Sequence, residues 1–184
     1  MELTERKIKE LSRYNGLILD VRVDEIALPD GRSAKREIVE HPGGVTVLPM
    51  DAQGMVYCVR QYRYAFEREM LEVPAGKLEP GEEPDSAAKR ELSEETGITA
   101  GRWDDLGVIQ TSPGFCTEQL YLYLARDLHF GSAHPDEGEF LSVEKHSLTE
   151  LAELAMHGGL VDAKTVAAVL KAERLLRMEK EETK

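Results

Sequence analysis

The residues best suited to chemistry lie between Gly76 and Ile98, in the run GKLEPGEEPDSAAKRELSEETGI. Glu91, Glu94 and Glu95 are three and four positions apart, so on a helix they share one stripe, continued by Ala87. Ala88 and Leu92 point about 100° away, toward a core. Three like charges this close repel, by about 1 kcal/mol per pair at roughly 4 Å in water and about 4 kcal/mol at an effective dielectric near 20. A bound cation offsets that repulsion, and all-oxygen donors suit Mg²⁺ or Mn²⁺, ions that bridge to substrate phosphates. The alternative is a solvated acidic face, in a chain with 35 Asp and Glu residues. The stripe is expected to be superficial.

Spacing separates these two readings. Gly76, five residues, Glu82, seven residues, then Arg90-Glu91-Leu92-x-Glu94-Glu95-x-Gly97-Ile98 matches every fixed position of the Nudix box. Here the chain resembles the Nudix hydrolases, which use divalent metal to cleave diphosphates joined to another moiety. The resemblance implies that Glu91 and Glu95 are the main metal ligands, that Glu94 assists, and that the Ala75 carbonyl completes the metal shell. It also implies that Arg90 and Glu82 pair to hold the loop against the helix. Gly76 and Gly97 are then structural, with Gly97 a left-handed helix stop and Pro84 in the first turn.

Three features outside the box bear on the substrate. Thr111-Ser112-Pro113-Gly114-Phe115 places Pro113 16 residues beyond Gly97, a distance that resembles the ADP-ribose pyrophosphatase subgroup, although Ser-Pro-Gly is also an ordinary turn. Pro135 to Phe140 is an acidic loop in which Glu137 and Glu139 share a side if the chain is extended. In that subgroup the loop supplies a carboxylate that activates the attacking water or binds a metal, and either glutamate fits. Arg60 and Arg63 cannot face the same way on one regular strand. Arg63, nearer the strand end, resembles the subgroup's substrate arginine and suits a phosphate bidentately. Arg36 is a weaker candidate. His41 stands where some relatives have arginine, and Pro113 and Gly114 join the substrate set. Tyr64, Phe66 and Phe115 are either base-stacking or packing residues.

The elements that must position these groups can be traced along the chain. Residues 4 to 13 are expected as a short polar helix. Leu17, Leu19, Val21 and Val23, alternating with Ile18, Asp20, Arg22 and Asp24, predict a strand. Asp30-Gly31 predicts a hairpin turn to a second strand at residues 34–40. Further strands are expected at 45–50, 55–61, 70–73, 106–110, 119–124 and 140–143. Helices follow at 149–157 and 163–180, the second fraying from Glu179. Mixed strands with helices at intervals suggest an α/β fold in which helices sandwich a mixed sheet. The resemblance implies the same Nudix-type α/β/α sandwich, preceded here by an N-terminal β-hairpin.

Length and composition set the limits. The 184 residues, 41% hydrophobic and 32% charged, suit a single soluble domain, read as 1–42 hairpin and dimerisation segment and 43–184 catalytic core. A net charge of −12 argues against nonspecific nucleic-acid binding and anionic membranes. Met1 to Arg13 has no apolar signal core and no stretch has the length of a membrane span. Cys58 and Cys116 have no metal-type or redox spacing, and Cys58 is expected as a buried thiol, consistent with a reducing cytoplasm.

The resulting expectation is Mg²⁺-dependent hydrolysis, with Mn²⁺ a possible substitute, of ADP-ribose to AMP and ribose 5-phosphate. The alternatives are another nucleoside diphosphate sugar, or a noncatalytic Nudix-fold sensor. A homodimer is expected from the apolar hairpin, which lacks a covering helix. The resemblance implies that the N-terminal segment of one subunit completes the other's pocket.

Overall fold

A computed structural model describes residues 2–17 and 19–182. The elements in order are β1 (Arg6–Asn15), β2 (Asp20–Ala27), β3 (Ser33–Glu40), β4 (Gly44–Pro49), β5 (Met55–Arg63), a 3₁₀ turn (Tyr64–Phe66), β6 (Arg68–Glu72), β7 (Ala75–Lys77), α1 (Pro84–Thr96), β8 (Ile98–Gln110), β9 (Gln119–Phe130), β10 (Leu141–Ser147), α2 (Leu148–Met156) and α3 (Ala163–Glu182). They form two compact units, one of Gly44–Ile109 with Leu120–Lys184, the other of Met1–Gly43 with Gln110–Gln119.

In the larger unit, strand alternation sorts side chains onto two faces. Val45 and Val47 of β4 pack with Ala87, Ala88 and Leu92 of α1. Leu48 and Met50 pack instead with Leu148 and Leu151 of α2 and Ala168, Val169 and Ala172 of α3. β9 repeats this, sending Leu120, Leu122 and Leu124 toward α2 and α3, and Ala125, Tyr121 and Tyr123 toward α1. Covered on both faces, these strands read as nearly continuous apolar runs. The sheet order is β7-β4-β9-β8, with β4 parallel to β9 and antiparallel to β7. A second, antiparallel sheet has the order β10-β5-β6. This is the mixed α/β architecture expected from the sequence. Among the described residues no helix is long and apolar enough to cross a membrane.

Two expectations in this unit need correction. Ala87 does not extend the acidic stripe; it is fully buried in the core beneath α1. α3 does not fray at Glu179, whose carboxylate takes Arg126 at 2.8 and 2.9 Å and Arg102 at 3.2 Å. The helix runs to Glu182.

The smaller unit holds the antiparallel sheet β1-β2-β3. Residues 4 to 13 were expected as helix and instead lie mostly in β1, paired with β2 and irregular between Lys7/Lys9 and Glu10/Ser12. Ion pairs across the strands, Lys7–Asp24 and Arg13–Asp20 at 2.8 Å each, join backbone pairing in outweighing local helix preference. Leu17 and Leu19 lie outside β2 and are exposed, Ile18 falls outside the described residues, and the buried positions of β2 are Asp24 and Ile26. The turn forms at Asp30-Gly31 as expected, with Gly31 at φ 86° and the Asp30 carboxylate accepting from the Arg32 N–H at 3.1 Å. The segment 110–119 is stitched to β3, where the Val39 N–H donates to the Phe115 carbonyl at 2.7 Å.

Candidate active site

Pairing of β7 with β4, Thr46 opposite Ala75 and Val45 opposite Gly76, fixes the strand from which the acidic loop departs. α1 then starts at Pro84 and stops at Gly97, whose φ of 69° lets its N–H reach the Ser93 carbonyl. A Cβ on Gly97 would also meet backbone atoms of residues 131–133 at 2.6 to 2.7 Å, so no other residue fits.

Arg90 ties the loop to the helix. Its Nε and Nη2 donate to Glu82 at 2.9 and 2.8 Å, Nη2 also to the Lys77 carbonyl at 3.2 Å, and Nη1 to Glu91 and Glu94 at 2.8 and 3.0 Å. The Arg90 guanidinium, helped by the Glu79 N–H, holds the Glu82 carboxyl down at about 2.

Glu95 is not superficial, being only 3% exposed. One carboxylate oxygen accepts from the Ala75 N–H at 3.2 Å. Burial, then the charge of Glu91, pushes the Glu95 carboxyl up to about 8, and burial raises Glu91 as well. The charge of Glu139, exposed on the 135–140 loop, adds a smaller upward push to both. Glu137 is exposed on the same loop, which turns at Gly138. Against Gly76 the fit is close: a Cβ there would sit 1.9 Å from the Glu91 carboxylate.

Among the described residues no three His, Cys, Asp or Glu side chains already converge as a ligand set. Arg90 occupies Glu91 and Glu94, while Glu95 faces the Ala75 amide. The available donors are nevertheless all oxygens, and the buried Glu95 carboxyl lies close enough to the half-buried Glu91 for the Glu91 charge to raise it. That combination fits a hard divalent cation. Cys58 lies in the core with its thiol pushed up to about 12 by burial.

At the end of β5, Arg63 places its Nε and Nη2 on Glu72 at 2.6 Å each, whereas Arg60 turns to Glu144 of β10. Sequence reasoning missed Glu72, 1% exposed, and Lys164, whose ammonium reaches it at 2.5 Å. The available signals were a lone carboxylate inside Met70-Leu71-Glu72-Val73 and an Asp162 helix cap followed by Lys164 and Thr165. Tyr64 and Phe66 are exposed beside a recess of about 380 Å³ that Arg63 and Lys164 also line, so neither is core packing.

The remaining candidates belong to the smaller unit. Arg36 on β3 pairs with Glu5, its Nε at 3.0 Å. His41 stands 3.6 Å from Glu118, and its N–H donates to the Thr117 hydroxyl at 2.9 Å. The loop carrying Pro113 and Gly114 closes through the Cys116 N–H to the Ser112 carbonyl at 2.9 Å, so His41 and this loop lie in one unit.

The mixed sheet covered by helices on both faces, with an acidic helix held against Gly76 of β7, defines an α/β sandwich with a candidate divalent-cation site. Residues 40–168 match the NUDIX domain, and the chain belongs to the Nudix family. It is 40% identical over 169 residues to the ADP-ribose pyrophosphatase of Bacillus subtilis (strain 168), covering 91% of each chain. It is also 40% identical over 167 residues, 90% of each chain, to the methanol dehydrogenase activator of Bacillus methanolicus. In fold it is similar to the crystal structure of an ADP compounds hydrolase, with a TM-score of 0.86 over 97% of this chain and 98% of that one at 22% identity.

Proposed function

We propose that this protein is a cytoplasmic Mg²⁺-dependent pyrophosphohydrolase that cleaves the diphosphate of ADP-ribose to AMP and ribose 5-phosphate. The observation that carries this reading is the Glu91–Glu95 pair held beside Ala75 and Gly76, with Glu95 buried, Glu91 half-buried and the Glu91 carboxylate filling the space over Gly76. The 40% identity to an ADP-ribose pyrophosphatase over 91% of both chains supports the substrate.

In this reading Glu91 and Glu95, with Glu94 and the Ala75 carbonyl, hold the divalent ion, Mn²⁺ being a possible substitute. The metal when bound supplies charge neutralisation on the diphosphate and an acidified water. Glu139, or Glu137, takes a proton from the attacking water as its oxygen bonds to phosphorus and the bridging P–O bond breaks. Arg63 pairs with a phosphate, and Arg36, His41, Pro113 and Gly114 of the smaller unit are each further candidates for substrate contact. A panel of ADP-ribose, GDP-mannose and other sugar nucleotides, scored for nucleotide monophosphate release, tests the substrate. Rapid AMP release from ADP-ribose is the expected result. Cleavage of a different sugar nucleotide alone would replace the substrate, and no cleavage would refute the enzymatic reading.

The alternative reading is a noncatalytic Nudix-fold sensor, and the chain is equally similar to a protein named as a methanol dehydrogenase activator. It predicts no turnover of any member of the panel.

We also read residues 1–184 as one functional domain that acts as a homodimer, with 1–42 the dimerisation segment. Ile8, Leu11 and Tyr14 are exposed on β1 at 52%, 41% and 66%, an apolar surface suited to a second copy. Sedimentation of the full chain as a monomer at micromolar concentration would exclude the dimer.

A further inference from the structure

A carboxylate that is almost wholly buried needs cations, and Glu72 has two. Arg63 meets it with the Nε–Nη2 edge at 2.6 Å, and Lys164 reaches Oε2 at 2.5 Å. Burial alone would raise the Glu72 carboxyl, but Arg63 and Lys164 more than reverse this and hold it below the usual carboxylate range.

The chain brings Lys164 there through the start of α3. Asp162 caps that helix, its carboxylate accepting from the Thr165 N–H at 3.0 Å and the Thr165 hydroxyl at 2.5 Å. The same hydroxyl accepts from the Val73 N–H at 3.0 Å, locking the helix start to the residue after Glu72. Lys164 is thereby held between Glu72 and Asp162, the latter at 2.9 Å.

Charge counting gives this arrangement a purpose. An arginine bound bidentately to a carboxylate is well oriented, yet the pair is neutral and attracts an anion weakly. With Lys164 sharing the carboxylate, the group of Arg63, Glu72 and Lys164 carries one net positive charge, and the helix N-terminus offsets about half of the Asp162 charge beside Lys164, so the cluster stays net positive. A recess of about 380 Å³ is lined by Arg63, Glu72 and Lys164 together with Tyr64 and Phe66. That is a place where a phosphate can meet the cation beside exposed aromatic rings.

We propose that Lys164 is a positioning residue for diphosphate binding: by sharing Glu72 it lets Arg63 be oriented by that carboxylate and still face the substrate as part of a net cation. This rests on the reading of Arg63 as the phosphate-binding arginine. Lys164→Met should raise KM roughly tenfold or more, the size of one charge-assisted contact, with kcat changed much less. Lys164→Arg should restore most of the loss, because charge and reach are kept. In an Arg63→Ala background, Lys164→Met should add little, since the lysine acts through the arginine.

The decisive arm is a double-mutant cycle over these variants, read as KM for whichever sugar nucleotide the wild type cleaves and as the Kd of inorganic pyrophosphate without metal. Pyrophosphate binding does not depend on the sugar, so a wild type that leaves ADP-ribose intact overturns the proposed substrate and leaves this arm able to judge Lys164. Should Lys164→Met fail to fold, Lys164→Gln, of similar length but neutral, takes its place in the cycle. Unchanged pyrophosphate affinity, or an equal loss in the presence and absence of Arg63, would overturn the proposal.

Discussion

Substituting Gly76 by alanine tests the site at its tightest point. Gly76 lies in β7 opposite Val45, and its φ is not among the positive values, so alanine meets no backbone obstacle. The added Cβ would nevertheless stand 1.9 Å from the Glu91 carboxyl carbon and Oε1, where ordinary contact begins near 3.4 Å. The carboxylate must therefore retreat by about 1.5 Å, the difference between those two distances. Because the obstructing atoms end a flexible side chain, the retreat costs the fold little, about 1 kcal/mol or less. Its cost to function is much larger, since a misplacement of about 1 Å in a reacting group can lower a rate by on the order of 100-fold. Gly76→Ala should then keep its circular dichroism spectrum and melt near the wild type. It should lose about two orders of magnitude in kcat/KM and need more Mg²⁺ for half-maximal rate. Steady-state AMP release over a Mg²⁺ series, with calorimetric titration of Mn²⁺, measures both. A folded Gly76→Ala protein with wild-type kcat/KM and metal dependence would refute the assignment of Glu91 to the reacting centre.

Glu95→Gln keeps an acceptor for the Ala75 N–H and removes a carboxyl that burial and Glu91 push up to about 8, so in the metal-free protein it removes a buried charge only above that pH. The carboxyl ionises at about 4.5 when unfolded and about 8 when folded, so the substitution should raise the melting temperature of the metal-free protein increasingly between those pH values. It should lower turnover at least about 100-fold, near 3 kcal/mol of transition-state stabilisation; near-normal turnover at saturating Mg²⁺ would contradict this. Glu139→Gln and Glu137→Gln should lower kcat with KM little changed, the larger effect falling on Glu139, the glutamate whose charge reaches Glu91 and Glu95. Equal small effects would mean that no loop carboxylate takes the proton. The Glu72 carboxyl is held below its usual 4.5, so it contributes stability above that pH, and this is lost as pH falls through the lowered value. Urea midpoints of the wild type should therefore drop below about pH 4.5 more steeply than those of Glu72→Gln; parallel acid profiles would show that the Glu72 ion pairs contribute nothing net.

The box was legible because its information is local. Spacing along one helix and the residue at its end determine that Glu91, Glu94 and Glu95 crowd together and that Gly97 ends α1, while the Arg90–Glu82 pair followed from the resemblance to the Nudix box. The nearly continuous apolar runs at 45–50 and 120–124, set between helices, likewise pointed to a sheet covered on both faces. Local reading failed where partners are remote. Residues 4 to 13 carry charges that suit a helix face equally well, and only pairing with β2 made them a strand. Helical spacing placed Ala87 with the acidic stripe, but packing against β4 drew it into the core. Depth was also beyond the sequence, since the burial of Glu95 arises from β7 passing beside α1, which no spacing within the helix encodes. Most of all, Glu72 and Lys164 stand 92 positions apart. A buried carboxylate and its second cation are joined only when the start of α3 docks on the strand leading into the box. Local periodicity thus determined which residues of this chain could do chemistry, while tertiary contact decided their burial, their charge partners and the direction in which Arg63 is held.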